Sequence, residues 1–273
     1  MELHAGTGLL VVPGDLPVDR MPKEWTNVLR VGFADVVNRA NSGGARLARI
    51  SYASPVFEAF AAAGSGDFAS AHDALTDALR LYTTLRNNSN RLAALYNLAN
   101  LARERGDAAG ATSLYRETTT LANQLGAIDI TIGAYAGEGW AAMRRDDDAA
   151  ARTALASAQA VLGARQDWWF QGRELLESLV IRLHARDGRM DSALARFQSA
   201  IERLEAMDVY AAAWMVADCA AEIAEHDASL WPVIERLGNH PTVKQFVPLS
   251  ARFTALKDMA ERMHTAHLRI SDT

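Results

Sequence analysis

The sequence predicts an all-α fold, a right-handed α-solenoid of helix hairpins with a period of about 40 residues and capping helices at both ends. Three observations support this prediction. Pairs of amphipathic segments recur along the chain, each pair is joined by a turn rich in glycine or aspartate, and a small residue returns at the same place after each turn. In such an array each unit packs against its neighbours, so a chain of 273 residues does not need one large core.

The clearest unit occupies residues 91–121. Its first helix carries apolar residues at three- and four-residue spacing from Leu92 onward, which places them on one face. Gly106 ends this helix, because glycine adopts the left-handed conformation without a steric penalty. Asp107 then caps the second helix by accepting hydrogen bonds from its first free N–H groups. The small side chain of Ala111 allows the two helix axes to approach closely.

The same unit returns at a nearly constant interval. The equivalent alanines, separated by 40, 40 and 42 residues, are Ala71, Ala111, Ala151 and Ala193. Each follows a turn of the same kind, and the other turns are Gly66-Asp67, Asp146-Asp147 and Asp187-Gly188. We therefore expect all four alanines to lie buried between paired helices.

The pattern resembles the tetratricopeptide (TPR) repeat family, which has a small residue in helix A, a Gly-Asp-type turn, and an alanine and an aromatic residue in helix B. The matching residues are Ala99, Gly106, Asp107, Ala111 and Tyr115. Thr118 stands where alanine is usual, and the period exceeds the family's value of about 34 residues. Such long repeats resemble the solenoids of large bacterial regulators related to the maltose-operon activator. The resemblance covers roughly residues 54–225 and implies a fold far more than a ligand.

Four regions follow from this pattern. They are an extended N-terminal arm (1–21), N-terminal capping helices (22–53), the TPR-like repeats (54–225) and C-terminal capping helices (226–273). Within the arm, Leu9 to Val12 has strand character, but no nearby segment is an evident partner. Residues 45–63 predict helix A of the first clear repeat, and Pro248 to His267 predicts the closing helix.

Composition excludes several function classes. The formal net charge is −5 and the isoelectric point about 5.8, which disfavours direct contact with nucleic acid. No run approaches the roughly 18 apolar residues that a membrane-spanning helix needs. Cys219 is the single cysteine, so no internal disulfide forms. These features predict a cytoplasmic protein of bacterial type.

The sequence contains no recognisable catalytic or cofactor motif. No phosphate-binding loop, dinucleotide fingerprint or nucleophile elbow is present. His264 and His267 lie three residues apart, but two ligands do not complete a zinc site. We therefore expect neither enzyme activity nor a bound cofactor or metal.

The inner stripe of each helix A is the remaining candidate site. By register it contains Tyr96, Asn97, Asn100, Arg103, Trp140, Arg144, Ser178, Arg182 and Arg186. Arginine suits carboxylate or phosphate groups, and aromatic residues serve as anchors in binding sites. Trp168 and Trp169 predict either an exposed aromatic contact or a plug between repeats. The carboxylate clamp of the TPR family is disfavoured, because only Asn97 matches it.

The most direct functional prediction is a non-catalytic scaffold that binds a protein or peptide, including one with acidic groups, in the concave groove. A first alternative is a ligand-sensing regulatory module of a signalling ATPase or transcription regulator. A second is an enzyme with a site near the N-terminal arm, around Asp15, Asp19 and Lys23. Homodimerisation through one end of the solenoid stays open, and no membrane partner is expected.

Overall fold

The computed structural model describes residues 10–11, 50–51, 59, 62–163, 170–224 and 226–271, with side chains of the last helix described as far as residue 262. In chain order the elements are β1 Leu10–Val11, β2 Ile50–Ser51, α1 Phe68–Thr84, α2 Asn88–Glu104, α3 Ala108–Leu125, α4 Ile128–Met143, α5 Asp148–Leu162, α6 Arg173–Arg186, α7 Met190–Met207, α8 Val209–Ile223, α9 Trp231–Gly238, α10 Pro241–Gln245 and α11 Val247–Ser271, with a 3₁₀ turn at Ala228–Leu230.

One backbone geometry recurs at the turn inside each hairpin. In each turn a backbone N–H group donates a hydrogen bond to the carbonyl oxygen five residues earlier. The donor and acceptor pairs are Asp67 with Ala62, Asp107 with Ala102, Asp147 with Ala142, and Arg189 with His184. The residue before each donor has a positive φ, with values of 88° at Gly66, 75° at Gly106, 55° at Asp146 and 72° at Gly188. This is the hydrogen-bonding pattern by which a left-handed residue ends a helix. The sequence prediction of glycine or aspartate breaks is confirmed.

Side-chain caps begin most of the repeat helices. The carboxylate of Asp107 accepts a hydrogen bond from the Gly110 N–H at 2.8 Å, so the first turn of α3 is satisfied locally. Equivalent caps start α1, α2 and α5, and their acceptors are Asp67, Asn87 and Asp147. Where such a cap is present, one residue beside the helix therefore encodes its start; α4, α6 and α7 begin without one.

The four periodic alanines, Ala71, Ala111, Ala151 and Ala193, are each 0% exposed. Tyr115 and Phe197, four residues after their alanines, are equally buried. Thr118 fits the place usually taken by alanine because its hydroxyl donates to the Leu114 carbonyl within the same helix. The predicted all-α solenoid of stacked hairpins is thus confirmed.

The helices form two layers. Helices α2, α4, α6 and α8 pack on one another as an inner layer, while α1, α3, α5 and α7 lie outside and contact the inner helices beside them in sequence. At the C-terminal end, α11 packs against α8, α9 and α10. The inner layer is therefore the part of the fold in which a site predicted on helices A must lie.

The ends of the chain differ from the sequence prediction. Leu10–Val11 pairs in parallel with Ile50–Ser51, so the expectation that this strand has no partner was wrong. The predicted helix over residues 45–63 was also wrong at positions 50 and 51. The two strands are 40 residues apart in the sequence and parallel, so no tight turn joins them, and a tight turn is what would have indicated the pairing. The other predictions for residues 1–49 lie outside the described residues.

Two glycines of α4 admit tyrosines from neighbouring helices. A Cβ atom at Gly133 would lie 2.6 Å from the Tyr96 hydroxyl, and one at Gly137 would overlap the Tyr115 ring. The two tyrosine rings meet edge to face, with centroids 6.1 Å apart. Close approach of the Gln171 carbonyl and the Tyr96 hydroxyl explains Gly133, and close approach of the Tyr115 ring explains Gly137. Each glycine lies in a helix interior, where glycine is otherwise unfavourable.

We expect Gly137→Ala to lower the free energy of unfolding by about 1–3 kcal/mol, because the added methyl group overlaps the buried Tyr115 ring. Gly64→Ala is the matched control, since its Cβ would make ordinary 3.5 Å contact with Phe246. The control is expected to be neutral or slightly stabilising, as alanine favours helix. Urea unfolding measures both changes, and a gain in stability for Gly137→Ala would contradict the packing described.

Candidate functional site

The predicted inner-face residues separate into two groups in the structure. Trp140, Arg144, Ser178 and Arg182 converge on Asp218 of α8, which the sequence analysis did not select. Tyr96, Asn97, Asn100 and Arg103 line a pocket beside α2. Arg186 belongs to neither group, because it bonds to Asp148, Asp146 and the Met143 carbonyl at the far end of α6.

Asp218 joins three inner helices. Its carboxylate accepts hydrogen bonds from the Trp140 indole at 3.0 Å and the Ser178 hydroxyl at 2.5 Å. Arg182 and Arg144 approach the same carboxylate at 3.5 and 3.4 Å. Helices α4 and α6 are thereby bound to α8 through one fully buried group.

The surroundings of Asp218 keep it ionised. Burial alone raises the pKa of a carboxyl group, but the Arg182 charge and the hydrogen bonds from Ser178 and Trp140 together hold the pKa of Asp218 below its ordinary value. Arg182 is itself buried and also donates to Glu222 at 2.9 Å. Ser178, Trp140 and Arg182 are therefore engaged inside the protein, whereas the Arg144 side chain stays about half exposed.

The pocket beside α2 has a volume of about 520 Å³. It lies between α1, the helical segment ahead of it, α2, and the first turns of α6, α8 and α11. Its walls are largely apolar, and the apolar side chains are Ala59, Ala63, Phe68, Leu75, Leu101, Phe246 and Leu249. Its polar residues lie mainly on one face of α2.

Two tyrosines fix the polar face of α2. The Tyr115 hydroxyl donates to Asn100 Oδ1 at 2.7 Å, and the Tyr96 hydroxyl donates to the Gln171 carbonyl at 3.2 Å. Burial raises the pKa of both tyrosines, so both hydroxyls stay protonated as donors. Asn97 lies on the same wall, and its side chain makes no hydrogen bond to another described residue.

Glu104, next to Arg103, links α2 to α8 and α11. Its carboxylate accepts from Arg103 at 2.8 Å, from the Trp214 indole at 2.7 Å and from Arg252 at 3.0 Å. Trp214 and Arg252 are 110 and 148 residues away in sequence, on α8 and α11. This contact brings the C-terminal helices against α2 and forms the polar end of the pocket.

Arg103 is only partly satisfied by these contacts. It is 5% exposed and lies 4.0 Å from the centre of the Trp214 ring, with one nitrogen donating to Glu104. Its other two nitrogens, Nε and Nη1, are buried and have no hydrogen-bond partner among the described residues. Buried donors of this kind are costly, so they mark a place where a ligand acceptor fits.

Glu174 is the second unusual polar group of the pocket. It lies in the first turn of α6 and is partly buried in the pocket wall. Burial raises the pKa of Glu174 to about 6, although the nearby Arg103 charge acts to lower it. Near neutral pH this carboxyl group is therefore mostly ionised, and a small change in its environment alters its charge.

Sequence reasoning missed Asp218, Glu104 and Glu174 for different reasons. Asp218 is the one charged residue between Val209 and Ala221, so an isolated charge in an apolar helix was a usable signal of a buried polar cluster. The other two lie among charged neighbours and carry no such signal. Their importance comes from contacts with distant helices.

Some predicted residues lie outside the described part of the chain. These are Trp168, Trp169, Asp15, Asp19 and Lys23. Within the described ranges, no three His, Cys, Asp or Glu side chains are arranged to hold a metal ion. The described helices include none with the length and apolar character needed to cross a bilayer.

Comparison with known proteins finds similarity to solved structures. No protein-family model matches the sequence, and no curated protein matches it. The chain is similar to a solved structure of a Rap protein complexed with competence and sporulation factor, with 14% sequence identity and a TM-score of 0.49. The similarity covers 76% of this chain and 63% of that protein, so the chain spans less than two thirds of its length.

We expect Asp218→Asn to lower the free energy of unfolding by about 3 kcal/mol at pH 7, because it removes a buried charge that faces Arg182 and leaves Glu222 as the only carboxylate partner of that arginine among the described residues. A depressed pKa stabilises the fold above the unfolded value of 3.8 and ceases to do so as pH falls through the lower folded value. The difference from the native chain should therefore shrink only below pH 3.8.

Asp187→Asn is the matched control for this measurement. Asp187 also accepts from two arginines, Arg152 and Arg189, but at the surface. Its loss should cost about 1 kcal/mol or less. Denaturant unfolding at pH 7 and pH 3 measures both variants, and equal effects at the two positions would contradict the special role of Asp218.

Proposed function

We propose that the chain is a non-catalytic recognition module that holds a short peptide segment in the pocket beside α2. The observation that carries this proposal is the pocket itself, with a volume of about 520 Å³, apolar walls and a few unsatisfied polar groups. Sites of this size and composition are typical of specific ligand binding.

The polar groups of the pocket complement a peptide backbone. Asn97 offers both a carbonyl oxygen and an NH₂ group, which together match the N–H and C=O of a peptide unit. The two unpartnered nitrogens of Arg103 would donate to carbonyl oxygens. The apolar wall would receive small or medium apolar side chains, so sequence preference would arise there.

The charges of the pocket bear on the kind of segment that fits. Among the described residues, one arginine, Arg103, and three acidic residues, Glu104, Glu174 and Asp208, line it. This balance favours a neutral or positively charged segment. The expectation that the partner carries acidic groups stays a prediction. It concerns arginines outside the pocket, of which Arg144 is the most exposed in the Asp218 cluster.

The volume of the pocket also favours a second candidate function, the sensing of a small effector by a regulatory module. A cavity of this size encloses a small molecule as readily as a few residues of a peptide. The two functions differ in their ligand and share the same pocket. A panel of metabolites tested by thermal shift, beside a peptide library, separates them.

Selection from a random peptide library should yield binders of the native chain, and Asn97→Ala should weaken their binding about tenfold. The reason is that the lost amide leaves peptide groups without partners. Because Asn97 has no partner in the described structure, its substitution should leave thermal stability unchanged. Fluorescence anisotropy with the selected peptides measures the dissociation constants.

The matched control is Asn123→Ala, which removes the same side chain from an exposed position on α3. Its affinity for the selected peptides should equal that of the native chain. Equal binding by Asn97→Ala would place the site elsewhere. If no peptide is selected and a metabolite raises the melting temperature instead, the small-effector function replaces the peptide one.

A further inference from the structure

Glu174 differs from four other acidic groups of the inner layer. Glu104, Glu177, Asp218 and Glu222 each accept hydrogen bonds from arginine side chains. The Glu174 carboxyl group has no hydrogen-bonding partner on another described residue, although it lines the pocket. Its carboxylate is stabilised by its own backbone N–H and by the Arg103 charge, and the acceptor capacity that remains can bind a cationic ligand group.

Arg103 supplies the second and independent observation. Its guanidinium group is buried on the same pocket wall, with two nitrogens that lack acceptors. The charge of Arg103 acts on Glu174, so the two groups lie within electrostatic range of each other. The pocket wall therefore holds a carboxylate with spare acceptor capacity beside buried donors that lack acceptors among the described residues.

We propose that the pocket captures the free amino terminus of a peptide, with the terminal ammonium on Glu174 and the first backbone carbonyl on Arg103. This inference rests on the proposed peptide-binding function and names the part of the peptide that enters the pocket. The ammonium and the first carbonyl lie next to each other in any peptide, so one terminal residue supplies both groups.

The charge balance of the site agrees with this assignment. Among the described residues, three acidic groups and one arginine line the pocket. A terminal ammonium, with an ordinary pKa of about 7.7–8.0, is charged at neutral pH and is opposite in sign to most of these groups. A terminal carboxylate has the same sign as most of them.

Binding should also depend on pH, because the ammonium binds the ionised form of Glu174. The charged and titratable groups that act on Glu174 or sense its charge are Arg103, Glu104 and Tyr96 on α2, Tyr115 on α3, and Asp208 and Tyr210 at the start of α8. The pKa of Glu174 is about 6. The pKa values of the three tyrosines are raised, so the tyrosines stay neutral. Affinity should therefore rise between pH 5 and pH 7.

The test uses two matched pools of random hexapeptide amides, one with free amino termini and one N-acetylated. The native full chain is immobilised at pH 7, incubated with an equal mixture of both pools, and the bound peptides are counted by mass spectrometry. We expect free-amine peptides to exceed acetylated ones at least tenfold. Glu174→Gln should abolish this preference, while Glu202→Gln, an exposed glutamate on the outer helix α7, should retain it.

Each outcome decides between the two proposals. If the native chain captures acetylated and free peptides equally, and Asn97→Ala loses both, amino-terminal capture is wrong while peptide binding in the pocket stands. If neither pool is retained above the Asn97→Ala background, both proposals fail. If Glu174→Gln keeps its circular dichroism spectrum and its full preference for free amines, the assignment of Glu174 is overturned.

Discussion

The ionised carboxylate of Asp218 is the interaction on which the inner layer depends. It is fully buried, and groups from α4 and α6 reach it across the solenoid interior. A charge in this position is tolerated only because Arg182, Ser178 and Trp140 replace the water that it loses. The cluster therefore fixes how α4, α6 and α8 lie against one another. It also engages, in hydrogen bonds to Asp218, polar side chains that would otherwise line an open groove.

Closure of the inner layer at Glu104 creates the pocket. Repeats alone place α2 beside α4, but the bonds from Glu104 to Trp214 and Arg252 bring α8 and α11 against α2 as well. The space left between these helices is lined by apolar side chains and by a few polar groups that their neighbours do not satisfy. The site thus follows from a long-range contact, and its ligand preference follows from the groups left unpartnered.

Features that depend on residues close together in the sequence were predicted correctly more often than features that depend on distant residues. The turn at Gly106 and the burial of Ala111 were predicted because the φ of one residue and the size of another decide them locally. Asn97 and Arg103 were selected by helical register, and both line the pocket. The pairing of Leu10–Val11 with Ile50–Ser51 was missed, since nothing local specifies a parallel partner.

The sequence by itself determined the hairpins, their period and the faces that become buried, because capping, helix termination and side-chain volume act over a few neighbouring residues. Only the tertiary structure decided which inward-facing side chains bind each other and which stay available. Trp140 and Asn100 share the same register in successive repeats, yet Trp140 bonds to Asp218 of α8 while Asn100 accepts from Tyr115 of α3 and lines the pocket. The physical reason is that the partners of buried polar groups come from helices tens of residues away. Their positions depend on how the whole solenoid closes.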